Sequence, residues 1–261
     1  MRALMAQVEA LAGKGQWDEA LRVMQDEVDR YPGNVALRSG LGNMAVRGER
    51  YGRALAVYQE LLDKIDKDSK LAGDLHARMG EVYRRLGDLE SALHSLRRAV
   101  EILPDSPGVL ATMALVLDVS GRRQEAAREY RELLRIDPNN GVAMNNLAYR
   151  LAEDGVEFEE ALTLAKRARE LMPQLIEVDD TIGWVYLKMK QTEKAIESFR
   201  GLVEKRPESA EFHYHLGMAL VQKGDKVAAA QQLELAMQKH PSKAIAEQAA
   251  RLLQSISGAG R

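Results

Sequence analysis

Apolar residues recur along this chain at helical spacing, in blocks separated by short polar turns. The stretch 182–207, IGWVYLKMKQTEKAIESFRGLVEKRP, shows the unit. Bulky Ile182 is followed by Gly183 and then Tyr186; beyond a polar turn come Ala195, Phe199 and Leu202, and Pro207 closes the block. Apolar positions three and four residues apart on both sides of the turn predict two amphipathic helices joined as a hairpin. The small residues mark where two helix backbones approach, at about 8–10 Å between axes, and the large ones fill the space beside them. Such a hairpin cannot bury its own apolar face, so it predicts stacked copies of itself.

Three columns of residues support that reading. The alanine of the second helix recurs at Ala20, Ala54, Ala92, Ala126, Ala161, Ala195 and Ala229, with gaps by subtraction of 34, 38, 34, 35, 34 and 34. The small position of the first helix runs Val8, Gly42, Gly80, Ala114, Ala148, Gly183 and Gly217 with the same period. Pro32, Pro104, Pro138, Pro173, Pro207 and Pro241 each fall where a second helix must stop, because proline lacks an N–H and has a fixed φ. Pro107, the remaining proline, stands at a helix start, where proline is tolerated. The second block has Asp66 in the closing place, and its helix is expected to run on through LLDKIDKDSKLAG, 61–73, with 66–73 as a hinge or extra contact surface.

This period and lettering resemble the tetratricopeptide repeat. The likeness covers nearly the whole chain: Met79-Gly80, Tyr83, Gly87, Ala92, Leu96, Ala99 and Pro104 in the third unit, and Leu216-Gly217, Leu220, Gly224, Ala229, Leu233, Ala236 and Pro241 in the seventh. Departures are mild: Gln7-Val8 in the first unit and a bulkier turn at 155–160 in the fifth. The resemblance implies an all-α fold, a right-handed superhelix of seven helical hairpins. One solenoid is expected over 1–257, with repeats 1–34, 35–72, 73–106, 107–140, 141–175, 176–209 and 210–243. Helix 244–257 is expected to cap it, because Ile245, Ala249, Leu252, Leu253 and Ile256 share one face. The tail 258–261 is expected to be mobile.

Composition narrows the function. The chain has 261 residues, Lys+Arg 37 against Asp+Glu 39 and a formal net charge of -2, so no strong attraction to nucleic acid or an anionic membrane is expected. The absence of cysteine excludes disulfides, thiolate zinc sites and cysteine nucleophiles. No apolar run is long enough to span a membrane, and the N-terminus lacks the apolar core of a signal peptide. The expected compartment is the cytoplasm or the periplasm, and a place on a longer, anchored protein stays open.

No catalytic motif is present: no phosphate loop, no HExxH and no Gly-x-Ser-x-Gly. No enzyme activity, cofactor or metal is expected. His213 and His215 are two residues apart on a helix and diverge, which argues against a shared ion and for a packed His213. The acidic residues Glu157, Glu159 and Glu160, like Asp179-Asp180, stand at helix starts, where carboxylates complement the helix dipole. Trp17, at the turn before Ala20, is expected to plug a hairpin end.

In the tetratricopeptide family the leading helix of each hairpin lines a concave surface, and its fifth and ninth positions face a ligand. Carried onto this chain, that pattern implies a partner groove formed by Leu115, Asn145, Tyr149, Asp180, Trp184, Tyr214 and Met218, with Trp184 as an anchor, and Asn146 matches a groove position at which other members of the family use an asparagine ladder to hold peptide backbone. Tyr and Trp bury large area at modest entropy cost, and Met packs adaptably. The lysines of a family clamp for terminal carboxylates are missing: Asn43 and Arg78 match, but Ser39 and Asp74 stand where lysines belong. The expected function is a non-catalytic adaptor binding a peptide or helix of a protein partner. The phrases NNLAYRLAEDG and DTIGWVYLK resemble bacterial envelope and exopolysaccharide proteins, which implies a part in complex assembly. The alternatives are a self-associating scaffold, hence a homo-oligomer, and a regulatory arm of a larger protein.

Overall fold

Every block of helical periodicity folds as a helix, and each turn is enforced by local chemistry. The computed structural model describes residues 2–258, with side chains for 4–257; of the expected mobile tail, 259–261 lie outside the described residues. Among the described residues there are fifteen helices and no strand. In the first of two compact units α1 (Arg2–Gly13) packs on α2 (Trp17–Arg30), α3 (Val35–Arg47) on α4 (Tyr51–Leu62) and α5 (Lys70–Leu86) on α6 (Leu89–Ile102), followed by α7 (Pro107–Val119). The boundary falls within α8 (Arg123–Ile136), since the first unit ends at Glu129 and the second begins at Tyr130. In the second unit α9 (Gly141–Asp154) packs on α10 (Phe158–Leu171), α11 (Ile176–Lys188) on α12 (Thr192–Lys205) and α13 (Ala210–Lys223) on α14 (Lys226–Gln238), with α15 (Lys243–Gly258) last.

Four of the hairpins are held by an interlock between their two helices. The alanine column is fully buried, and four residues after Ala54, Ala92, Ala195 and Ala229 stands the side chain that fills the neighbouring helix's small position. A Cβ added to Gly42 would lie 2.3 Å from the Tyr58 ring, and one added to Gly183 would lie 2.6 Å from Phe199. Leu96 and Leu233 fill the corresponding space against Gly80 and Gly217. Tyr58 and Phe199 are among the largest fully buried side chains, and seating each contributes about 1.5–3 kcal/mol.

The inter-helix turns share a left-handed residue: Gly15, Glu49, Gly87, Gly121, Gly155, Lys190 and Gly224 all have positive φ. In the fifth hairpin a second one, Glu157 at φ 48, accommodates the extra residue. Its carboxylate pairs with Arg131, which also meets Glu160 at 3.1 Å. Several leading helices are capped by side chains: Asn34 accepts from the Leu37 N–H, Asn140 from Ala143 and Ser209 from Phe212.

The second block departs from expectation. Its second helix α4 stops at Leu62 instead of running through to Gly73. Asp66 accepts a hydrogen bond from the Asp68 N–H, and Ser69 caps the next helix by accepting from Ala72. Both side chains satisfy backbone groups in a turn and so compete with helix continuation. The four inserted residues lengthen the leading helix instead: α5 has 17 residues, and Gly73 in its extra turn packs against Leu103 and Ile102.

Trp17 starts α2 and packs half-buried against Gly48 of the next hairpin, with the Arg47 guanidinium 5.8 Å from its ring. Exposed ion pairs join equivalent turns of consecutive hairpins, such as Arg50 with Asp18 and Lys223 with Glu193; such pairs contribute little to stability. α15 packs on α14 and α13 with Ala249 buried, Leu252 and Leu253 half-buried, and Glu247, Gln248 and Arg251 exposed. No helix among the described residues is long and apolar enough to cross a membrane.

The interlock makes two glycines of one hairpin respond oppositely to the same change. Gly183→Ala forces Phe199 to move and is expected to destabilise by about 1–3 kcal/mol. Gly201→Ala in α12 meets open space and is expected to stabilise by about 0.5–1 kcal/mol through helix propensity. Urea unfolding measures both; equal shifts would show that close approach is not what requires Gly183.

Candidate functional site

The leading helices of the second unit lie beside one another: α9 touches α11, and α11 touches α13. The common period puts equivalent positions of these helices side by side, and a continuous aromatic band results. The ring centroids of Tyr149 and Trp184 are 6.0 Å apart, those of Trp184 and His215 4.9 Å, and those of His215 and Tyr214 5.8 Å. Met218, one turn beyond Tyr214 on α13, extends the same face. Of the eight residues singled out from the sequence, Asn145, Asn146, Tyr149, Asp180, Trp184, Tyr214 and Met218 stand on these three helices. Leu115 belongs to the first unit, on α7, where it is 37% exposed.

The band has a buried floor and an accessible rim. Trp184 is only 7% exposed, and its indole N–H donates to Glu153 at 2.9 Å. Lys188 lies 4.8 Å from the Trp184 ring centroid and bonds the same Glu153 carboxylate at 2.8 Å. Trp184 is therefore not the projecting anchor expected from its column; the accessible apolar surface is that of the half-buried Tyr149, Tyr214 and Met218. Asn146 is engaged too, donating to the Tyr130 hydroxyl at 3.2 Å. The Asn145 amide lies 3.5 Å from Asn146, and its own carbonyl oxygen is buried without a partner. In the first unit, Arg78 donates to Asn43 at 2.8 Å, so the two matches to the carboxylate clamp engage each other.

Electrostatics along the band are acidic. Burial pushes the Tyr149 hydroxyl above its ordinary pKa; the carboxylate of Glu153 adds to this, Arg150 opposes it, and Asp180 and Glu211 add further. Burial alone pushes Tyr214 up. Burial also opposes ionisation of Glu153, but Lys188 and the Trp184 N–H outweigh it and hold that carboxyl below its usual value.

His213 and His215 diverge. His213 is buried between Gln232, at 2.8 Å, and the Pro207 carbonyl, at 2.9 Å. His215 faces Asp180 across the helix pair, with Nδ1 2.8 Å from the carboxylate. One ligand atom from each of Asp180, Glu211 and His215 lies within 4.8 Å of the others. Sequence reasoning passed over Glu153, Lys188 and Glu211, and weighed His215 only as a partner of His213. Their signal was the i,i+4 spacing: Glu153 follows Tyr149, Lys188 follows Trp184 and His215 follows Glu211, each by one turn of the same face.

Two outcomes follow from this geometry. Trp184→Ala is expected to cost about 3–5 kcal/mol of unfolding free energy, whereas Trp184→Phe, which keeps the packing and loses the bond to Glu153, costs less. A small loss for the alanine variant in urea unfolding would mean that the indole is not part of the core. The pH dependence follows from Glu153. Its folded pKa is depressed, so its contribution is present above the ordinary carboxylate range and is lost as pH falls through the depressed value. Glu153→Gln is expected to flatten that part of the acid-unfolding profile.

Comparison with known proteins agrees with this architecture. A model of the tetratricopeptide repeat family matches residues 2–139, and a second of the same description matches 181–244. The type IV pilus assembly protein PilF of Pseudomonas aeruginosa is 33% identical over 138 residues, 52% of this chain and 54% of PilF. The chain thus spans about half the length of that relative. A solved structure of Pseudomonas aeruginosa PilF superposes with TM-score 0.54 at 26% identity, over 71% of this chain and 88% of that one. A tetratricopeptide repeat protein from Parabacteroides merdae gives TM-score 0.65 at 17% identity over 98% of each chain. YrrB, described as a repeat protein with an unusual peptide-binding site, gives 0.57 at 20% identity over 74% of this chain and 97% of its own. The latter two show the fold alone. By the family match over more than half its length, this chain belongs to the tetratricopeptide repeat family, whose members generally mediate protein–protein interaction.

Proposed function

We propose that this chain is a non-catalytic adaptor that holds a peptide or helix of a protein partner against α9, α11 and α13. The observation that carries the reading is the unbroken band of four rings, with Tyr149 and Tyr214 half-exposed at its surface. Such rings lose little conformational freedom when covered and bury a large apolar area. Met218 supplies an adaptable neighbour, Asn145 and Asp180 offer polar contacts that set register, and Trp184 supports the floor beneath them. Asn146 acts by holding Tyr130, and Leu115 offers a separate apolar contact on the first unit. The peptide-binding description of YrrB and the pilus-assembly role of PilF support a part in assembling a bacterial envelope complex.

A photo-crosslinking amino acid in place of Met218, used in bacterial cells, would identify the partner segment, and fluorescence anisotropy with that segment would measure its affinity. Tyr214→Ala is expected to weaken binding at least tenfold, with unfolding changed far less than by Trp184→Ala. Val227→Ala, at an exposed valine on α14, is expected to change neither. Modest salt dependence would fit an apolar contact. Undiminished affinity of the Tyr214 variant would place the partner elsewhere on the chain.

A further inference from the structure

At one edge of the aromatic band two carboxylates and an imidazole converge. Asp180 on α11 and Glu211 on α13 bring carboxylates close together, with one oxygen of each within 4.8 Å of the other and of a nitrogen of His215. Among the described residues neither carboxylate is paired with a lysine or arginine; Asp180 meets only His215, and Glu211 meets no cation. Several other carboxylates of this unit are matched, Glu153 by Lys188, Glu177 by Arg206 and Asp179 by Lys205. Two carboxylates at this separation repel each other, and a bound cation converts that repulsion into attraction.

We propose that Asp180, Glu211 and His215 form a binding site for a first-row divalent transition-metal ion of the Zn2+ type. Glu211 and His215 are one turn apart on α13, so their side chains leave the helix on the same face, and Asp180 meets them from α11. One imidazole nitrogen with two carboxylate oxygens suits zinc, cobalt or nickel; calcium and magnesium prefer oxygen alone. Metal–ligand bonds of about 2.0–2.2 Å require the three donors to close somewhat, and exposed Glu211 is free to swing inward.

The imidazole is already positioned. His215 is 9% exposed, and its ring lies 4.9 Å from Trp184, 5.4 Å from Phe199 and 5.8 Å from Tyr214, centroid to centroid. These rings hold Nδ1 toward Asp180, which is the task outer residues perform at metal sites. The ion would take the place of the hydrogen bond between His215 and Asp180. Three protein ligands leave at least one coordination position for water or for a donor on a partner. The three ligands all belong to this chain, and Asp180 is the one residue the site shares with the proposed groove.

The test uses the full chain without peptide. Trp17→Phe leaves Trp184 as the single tryptophan, beside His215. Titrating Ni2+ or Co2+ into this variant is expected to quench Trp184 fluorescence saturably, with one site of micromolar affinity. Zn2+ is expected to reverse the quenching by competition and to show the same stoichiometry by calorimetry. Glu211→Gln, at an exposed residue, is expected to weaken binding at least tenfold while its thermal unfolding without metal is unchanged. Asp180→Asn is expected to weaken it similarly, whereas His240→Ala, at an exposed histidine, has no effect. No saturable quenching up to millimolar metal would overturn the proposal. So would quenching that survives Glu211→Gln or disappears with His240→Ala. Peptide binding lost in Tyr214→Ala tests the adaptor reading alone, so each idea can fail without the other.

Discussion

The close approach of two helix backbones within each hairpin is the constraint on which the rest of the structure depends. A large side chain of the second helix, Tyr58 or Phe199, occupies the space that a Cβ would need at Gly42 or Gly183 of the first. Only a small residue admits that distance, and only a large one fills the remaining volume at interior density. Repetition of the pair makes successive hairpins equivalent. The separation of 35 residues between Asp180 and His215 is the 34-residue period plus one. Contacts along the leading-helix face are thus products of the core geometry.

The band in the second unit shows how a core constraint becomes a surface with chemistry. Trp184 is held from below by Glu153 and Lys188 and from the sides by Tyr149 and His215. A residue so fully engaged orients its neighbours instead of reaching out, and the rim residues present the accessible area. Glu153 shows the balance numerically in direction: burial disfavours its charge, yet two donors hold it ionised. Among the described residues Asp180 meets His215, and Glu211 is paired with no lysine or arginine.

The repeat itself was legible because its signal is redundant. Alanine, the small leading-helix residue and the closing proline report the same hairpin independently, and all seven alanines prove fully buried. The end of α4 was not legible, because Asp66 and Ser69 act through hydrogen bonds to nearby backbone, which an apolar pattern does not display. The left-handed turn column was only half visible. Glycine announces it at Gly87 and Gly224, but Glu49 and Lys190 adopt the same conformation with residue types that give no warning.

For the candidate site, the sequence by itself determined which helix and which column carry Asn145, Tyr149, Asp180, Trp184, Tyr214 and Met218, because periodicity encodes position on a helix. It also determined that no cysteine or catalytic motif competes with a binding surface. Only the tertiary structure decided that Trp184 faces inward, that Asn146 is engaged by Tyr130, and that His215 meets Asp180. The physical reason is that exposure and pairing depend on an adjacent helix, whose contacting residues lie 16 to 35 positions away in sequence. Spacing along one helix tells which way a side chain leaves its own axis; what it meets there is set by how the next helix packs.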